Sequence, residues 1–137
     1  MTAAVIREDA AWRTPFAKVR TPDDLVTAAS RVTGFSLPPE ALAGSLKILD
    51  QMPFFAPSPA GWPDKAENWI SPEAVLRRAE WCQSFAQRMP EPGDPVELAQ
   101  AALGEALPEE TLQAIRLAPR RRAGVALLLA SPQVQRR

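Results

Sequence analysis

The sequence predicts an all-α protein, an orthogonal bundle of about six short helices with one long ordered loop rich in proline, glycine and tryptophan. Three observations predict this fold. A helix-start signal of capping residue, proline and acid recurs along the chain. Apolar residues recur at three- and four-residue steps. No alternating strand pattern or hairpin dipeptide occurs. Because the chain has 137 residues, we expect one helical domain, 1–137.

Each predicted helix begins and ends at a local signal. "TPDDL" puts Thr21 at the N-cap and Pro22 at the first helical position, where proline's missing N–H would be unpaired anyway. "SPEAV" from Ser71 and "DPVEL" from Asp94 repeat the pattern, and "LPEET" is a weaker version of it. Gly34 falls where a left-handed residue ends a helix. These signals predict helices at 22–33, 38–51, 72–89, 95–103, 108–117 and 119–131, and a short turn of helix near 3–11.

Hydrophobic periodicity assigns two of these helices to the core. The last one contains "RAGVALLLA", which is apolar nearly all round, so we expect it to lie centrally. The helix predicted at 72–89 carries a broad apolar stripe that should face its neighbours. The stripe consists of Val75, Leu76, Ala79, Trp81, Cys82, Phe85, Ala86 and Met89.

Composition excludes several classes of function. Sixteen basic and sixteen acidic residues give a formal net charge of zero, so nucleic acid is not expected as a partner. Without histidine, the chain has no His-activated nucleophile and no His-based metal site, and the single Cys82 cannot form an internal disulfide. No apolar run approaches the ~20 residues of a membrane span. We therefore predict no catalytic residues, no metal and no cofactor.

The segment "PFFAPSPAGWPDKAENWI", residues 53–70, is too long for a simple turn. Large aromatics are rare in disordered chains, so we expect an ordered Ω-like loop laid over the helices. Trp62 and Trp69 should pack inward and fasten it, with Phe54 and Phe55 adding to the buried area. Gly61 should take a backbone conformation that is closed to other residues.

The stretch "LDQMPFFAPSPAGWPDKAENWISPEAVLRR" resembles the signature of a large bacterial family, the domain-of-unknown-function 1800 family. "AKVRTPDDLVTAASRVTG" and the closing "LLLASPQVQRR" resemble two further segments of that family, in the same order. The chain departs from the family at Asp50, where the family favours glycine, and at Gln133 and Val134, where it favours Glu and Phe. The matching positions are Lys18, Arg20, Thr21, Pro22 and Arg31; Leu49, Gln51, Pro53, Pro59, Gly61, Trp62, Trp69, Ser71, Pro72, Arg77 and Arg78; and Ser131, Pro132, Arg136 and Arg137.

The resemblance carries several expectations. Family members are several times longer, so the chain should correspond to their carboxy-terminal part. They are bacterial and often exported, are commonly encoded beside a second family resembling sulfatases, and have no established molecular activity. The chain's own amino terminus shows no export signal. The family implies a periplasmic or exported protein; without it, a cytoplasmic one is expected.

Two aromatic residues of the loop, Trp62 and Trp69, are the first candidate binding site. Beside Asp64, Glu67 and Asn68 they could form a shelf for a sugar ring. We favour the structural interpretation, in which both indoles hold the loop against the helices, because an ordered loop needs this burial.

Arginines supply the other candidates. Arg77 and Arg78 open the helix after the loop, and one should reach back to loop carboxylates or carbonyls, with anion binding as the alternative. Arg120, Arg121 and Arg122 begin the last helix, where their charges oppose its dipole. We favour a solvated or salt-bridged face, with acids supplied by Glu105, Glu109 or Glu110 or by the amino-terminal part of a longer protein; a bound anion is the alternative. The adjacent acids at Asp23–Asp24 and Glu109–Glu110 are assigned to capping, and Cys82 to core filling.

These observations favour a non-catalytic structural or interaction module that packs against a protein partner or the amino-terminal part of its own protein. The alternative is part of a carbohydrate- or anion-binding cleft, possibly enzymatic, built from the Trp62/Trp69 loop and Arg77/Arg78. An open hollow with both indole faces and unpaired carboxylates would favour the cleft. Indoles packed inward, with an exposed apolar patch elsewhere, would favour the module.

Overall fold

The computed structural model describes residue 4 and residues 7–9, 16–63 and 65–137. Within these residues the fold is all-α and has no strand, as predicted. The turn predicted near 3–11 falls mostly outside the described residues. Between residues 16 and 137, the continuous part of the description apart from residue 64, seven α-helices follow one another: α1 (Pro22–Thr33), α2 (Pro39–Ile48), α3 (Pro72–Arg88), α4 (Pro95–Leu103), α5 (Glu109–Arg116), α6 (Arg121–Ala130) and α7 (Pro132–Gln135).

The starts of α1, α3 and α4 are made by the predicted capping chemistry. The Thr21 hydroxyl accepts from the Asp24 amide at 3.4 Å, and the Ser71 hydroxyl accepts from the Ala74 amide at 3.2 Å. Asp94 accepts from two amides of α4. Proline occupies the first position of α1, α3 and α4, where no donor is lost. Local sequence therefore determines where these three helices begin.

Helix α2 ends earlier than predicted, at Ile48 instead of residue 51. The Gln51 amide donates to the Leu46 carbonyl at 2.8 Å and the Asp50 amide donates to the Lys47 carbonyl at 3.2 Å, which is the pattern of a Schellman motif. Asp50 adopts a left-handed φ of 61° at the position where this motif usually has glycine. The stop was missed because aspartate gives a weaker signal than glycine.

The helix predicted at 119–131 is two helices. Ser131 leaves the helical conformation, and its hydroxyl accepts from the Val134 amide at 3.4 Å to cap α7. Pro132 takes the first position of α7. The same serine-proline signal thus starts a short final helix, α7, which lies just after the end of the single helix predicted from the sequence.

Helix α6 lies centrally, as predicted from its apolar character. It packs on α3, α4, α5 and α7. Val125, Leu128 and Leu129 are fully buried there. Gly124 lets α4 approach closely, because a Cβ at this position would lie 2.7 Å from a ring carbon of Pro95.

The apolar stripe of α3 is shorter than predicted. Trp81, Cys82 and Phe85 are buried as expected, but Val75, Leu76 and Ala79 are exposed. The buried residues of α3 begin at Arg78, because the amino-terminal end of the helix extends past the core.

The two ends of the described bundle are joined by backbone hydrogen bonds. Lys18 and Arg137 exchange two of them, at 3.1 and 2.8 Å, and the Arg20 amide donates to the Gln135 carbonyl at 2.9 Å. Val19 and Arg136 thus form an isolated antiparallel bridge. In the part of the chain that the structure describes, no helix is long and apolar enough to cross a bilayer.

Candidate functional site

The carboxy-terminal half of the long loop, residues 62–70 and here called the inner segment, is fastened to the bundle. Trp69 is 5% exposed, and its indole N–H donates to the Pro63 carbonyl at 2.9 Å. Trp62 is half-buried, and its ring centroid lies 6.2 Å from that of Trp69 at a tilt of 49°. Because a buried indole needs an acceptor for its N–H, Trp69 both fills the core edge and closes its own loop. The predicted inward orientation holds fully for Trp69 and partly for Trp62.

Gly61 separates this segment from the preceding residues. Its φ of 96° belongs to the region that favours glycine, as predicted, and its amide donates to the Ser58 carbonyl at 2.9 Å. The chain therefore turns at Gly61 before the inner segment begins.

The amino-terminal half of the loop, residues 52–58 and here called the outer segment, faces solvent. Phe54 is fully exposed and Phe55 is 68% exposed. The prediction that these two side chains add burial is therefore wrong. The Phe55 amide donates to the Met52 carbonyl at 3.2 Å, which closes a tight turn. Phe54 stands third in this turn and away from the helices.

The backbone at Phe54 is unusual for a large side chain. Its φ is 66°, and the preceding residue is Pro53. In a turn with proline second and a positive φ third, the third position usually holds glycine or asparagine. A phenylalanine there carries steric strain of about 1–2 kcal/mol.

Two more exposed apolar residues lie in the turn or shortly before it. Ile48 is 56% exposed and Met52 is 41% exposed. Together with Phe54 and Phe55 they form what we call the aromatic edge. These four residues supply large apolar side chains to solvent within one short stretch of chain.

Arg78, one of the candidate binding residues, is buried and bonded within the fold. Its Nη2 donates to the Arg20 carbonyl at 2.7 Å and its Nη1 donates to Gln135 Oε1 at 2.9 Å. The Gln135 amide group in turn donates to the Leu129 carbonyl at 2.9 Å. Burial lowers the pKa of the Arg78 guanidinium below its ordinary value, but an arginine stays protonated in proteins. Arg78 therefore joins the two ends of the bundle to α3.

The neighbouring Arg77 behaves differently. It forms an ion pair with Asp50, just ahead of the loop, and both side chains are largely exposed. The sequence predicts that one of the two arginines reaches back to carboxylates or carbonyls of the loop. Arg77 does so only as far as Asp50, and the bonded partners of Arg78 lie elsewhere.

The cavity beside Trp69 is very small. Trp69 and Arg78 border about 20 Å³ of free space, together with Asp50 and Asn68. A volume of this size holds about one water molecule. A sugar ring does not fit between Trp69 and the arginines. Asp64, an expected member of the sugar shelf, lies outside the described residues.

The three arginines at the start of α6 fall into two groups, one bonded side chain and two exposed ones. Arg122 Nη2 donates to the carbonyls of Met89 and Pro90, at 2.9 and 3.0 Å, after the end of α3. Carbonyl oxygens thus hold Arg122, where carboxylates were expected. Arg120 and Arg121 are exposed and pair with none of the described residues.

Cys82 has the chemistry of a core residue. Burial raises the pKa of its thiol to about 12, so the thiolate needed for nucleophilic attack is absent at neutral pH. Among the described residues, no group of three thiol, carboxylate or imidazole side chains converges as a metal site.

Comparison with known proteins decides the family. The sequence model described as "Protein of unknown function (DUF1800)" matches residues 1–136. The chain belongs to the DUF1800 family. No curated protein and no solved structure matches the chain. The three segments that carry the family resemblance meet in this DUF1800 fold, because Arg78 bonds both Arg20 and Gln135.

Proposed function

We propose that this DUF1800 chain is a non-catalytic interaction module that binds a protein partner through the aromatic edge. The observation that carries the proposal is the full exposure of Phe54 at the tip of a tight turn. Soluble proteins rarely keep several large apolar side chains together in water unless the surface binds something. The inner segment supplies the rigid base from which the turn projects.

The energy available at this edge is large enough for binding. A phenylalanine that passes from solvent into an interface buries about 150–250 Å², which gives roughly 4–6 kcal/mol of gross hydrophobic stabilisation. A few such anchors account for most of the affinity of a typical interface. Phe54 is fully exposed and thus has all of this area available.

Backbone strain at Phe54 supports the same proposal. The left-handed φ disfavours phenylalanine, and the exposed ring gains nothing from the folded chain in return. Because this strain brings no stabilisation to the free protein, it is consistent with stabilisation that is gained only when a partner binds.

The partner we propose is a protein surface, and the first candidate is the preceding part of a longer DUF1800 protein. This part is expected from the family resemblance, in which the chain corresponds to a carboxy-terminal portion. A carbohydrate cleft has less support, because Trp69 is packed inward and the space beside it is about 20 Å³.

Site-specific photo-crosslinking in the longest natural form of the protein tests the proposal. A benzophenone amino acid replaces Phe54, and in a second sample it replaces Leu117, which is 81% exposed outside the aromatic edge. We expect a discrete crosslink to a protein segment from position 54, little from position 117, and its loss when Phe55→Ser is added. Equal crosslinking from both positions, or a crosslink from position 54 to a glycan, would contradict it.

A further inference from the structure

A second concave surface lies where the connection after α3 meets the first turn of α6. Its volume is about 420 Å³, within the range of small-molecule binding pockets. The residues that matter for its chemistry are Pro90, Glu91 and Pro92 on one wall and Arg120, Arg121 and Arg122 on the other. None of them belongs to the aromatic edge.

The first turn of α6 offers this cavity uncapped backbone donors. Arg120 is the N-cap residue, and its side chain accepts no hydrogen bond from the helix. The first helical bond runs from the Gly124 amide to the Arg120 carbonyl at 3.1 Å. The amides of residues 121–123 therefore precede the hydrogen-bonded part of a ten-residue helix. The starts of α1, α3, α4 and α7 have side-chain caps, whereas α2 and α5 lack them as α6 does.

Arg122 provides an independent indication of a missing acceptor. Two carbonyls hold its Nη2 in place. Its Nε atom is buried and has no hydrogen-bond partner among the described residues. A buried donor without an acceptor is destabilising, so native proteins rarely leave one unpaired. Because Nε is closed to solvent in this conformation, an anionic group in the adjoining cavity would reach it after a shift of the Arg122 side chain.

The charges point to the same class of ligand. Arg120 and Arg121 pair with no described residue, and all three guanidinium groups stand at the positive end of the helix dipole. Among the residues named above, Glu91 is the one carboxylate at the cavity, and it forms no ion pair with these arginines. The uncompensated charge is therefore positive.

We propose that this cavity binds the phosphate group of a small phosphate monoester. Guanidinium groups bind tetrahedral oxyanions through paired N–H donors, and the free amides of a helix start add further donors. The cavity exceeds the size of one phosphate group, so the remainder of the ester also has room. This site is separate from the aromatic edge and does not depend on the proposed docking function.

The test is an NMR titration of the backbone amides and the arginine Nε–H groups with inorganic phosphate, glycerol 3-phosphate and neutral glycerol. We expect saturable shifts with the two phosphates at residues 121–123 and at Arg122 Nε–H, and none with glycerol. The double variant Arg120→Gln/Arg121→Gln should weaken binding at least about tenfold. Glu91→Gln should strengthen it several-fold, because it removes a like charge from the ligand's surroundings.

A matched control separates a site from general electrostatic attraction. Arg31→Gln/Arg116→Gln removes the same charge outside the cavity and should change the affinity less than twofold. Equal weakening by the control pair, shifts scattered over the surface, or no saturable shift would overturn the proposal. Binding to vesicles that contain anionic lipid, without binding to either phosphate, would also overturn it in favour of a membrane surface.

Discussion

The two halves of one loop have opposite relations to the same bundle. The inner segment turns Trp69 into the protein and bonds its indole to the Pro63 carbonyl. The outer segment is also aromatic, yet it turns Phe54 fully into solvent. Aromatic content alone therefore does not predict burial. The difference is what lies around the side chain: Trp69 adjoins residues of α3 and the end of α2, whereas Phe54 projects from a local turn into solvent.

Side-chain chemistry contributes to this difference. An indole has an apolar body and one donor, so Trp69 can fill space and close a hydrogen bond within its own loop. A phenyl ring has no such donor, and the turn at Met52–Phe55 is closed by backbone alone. We infer that the inner segment stabilises the fold and that the outer segment remains exposed for the proposed binding.

Among substitutions that test the difference between the two segments, Trp69→Ala should have the largest effect. Loss of a large buried aromatic side chain should lower the free energy of unfolding by about 3–5 kcal/mol. The melting temperature should fall on the order of 10 °C or more. Trp62→Ala should have a smaller effect, because Trp62 keeps part of its surface in solvent. An unchanged melting curve for Trp69→Ala would show that the inner segment does not fasten the loop.

The adjacent arginines after the loop give a second contrast. Arg78→Ala leaves the Arg20 carbonyl and Gln135 Oε1 without their donor, so it should destabilise the fold by about 2–4 kcal/mol. Arg77→Ala removes only an exposed ion pair with Asp50 and should cost less than about 1 kcal/mol. Urea unfolding of both variants measures the difference. Equal losses would contradict the assignment of Arg78 to the junction of the chain ends.

The buried thiol of Cys82 offers a further test, through the pH dependence of the free energy of unfolding. The pKa of Cys82 is raised from 9.0 to about 12 in the folded protein, so only the unfolded chain ionises readily above pH 9. Stability linked to this group is complete below pH 9 and falls between pH 9 and 12, by about 1.4 kcal/mol per pH unit. Urea unfolding across this range should show a shallower decline in Cys82→Ala. Parallel declines in the two proteins would disprove the buried thiol's contribution.

The sequence predicts most of the helical fold because helix starts depend on neighbouring residues. Thr21, Ser71 and Asp94 cap helices through atoms no more than three residues away. The end of α2 was harder to predict, because Asp50 performs a role usually given to glycine. The start of α7 carries the same Ser-Pro signal as α3, but an apolar run precedes it and conceals the break.

The candidate site was less predictable because its features are long-range. Nothing near Arg78 in the sequence indicates that its acceptors are Arg20 and Gln135, 58 and 57 residues away. The exposure of Phe54 depends on the path of the loop over the helices, whereas a segment rich in aromatic residues predicts burial. The unpaired Nε of Arg122 becomes visible only when α6 packs beside the end of α3.

The smallest expected effect provides the most direct test of the central claim, that the outer segment is not part of the core. Phe54→Gly removes a whole phenyl ring and permits the left-handed backbone at that position. If Phe54 lies outside the core, the free energy of unfolding, measured by urea denaturation, should stay the same or rise by up to about 1 kcal/mol. A fall of about 3 kcal/mol or more would mean that Phe54 is buried in solution, and it would contradict the account.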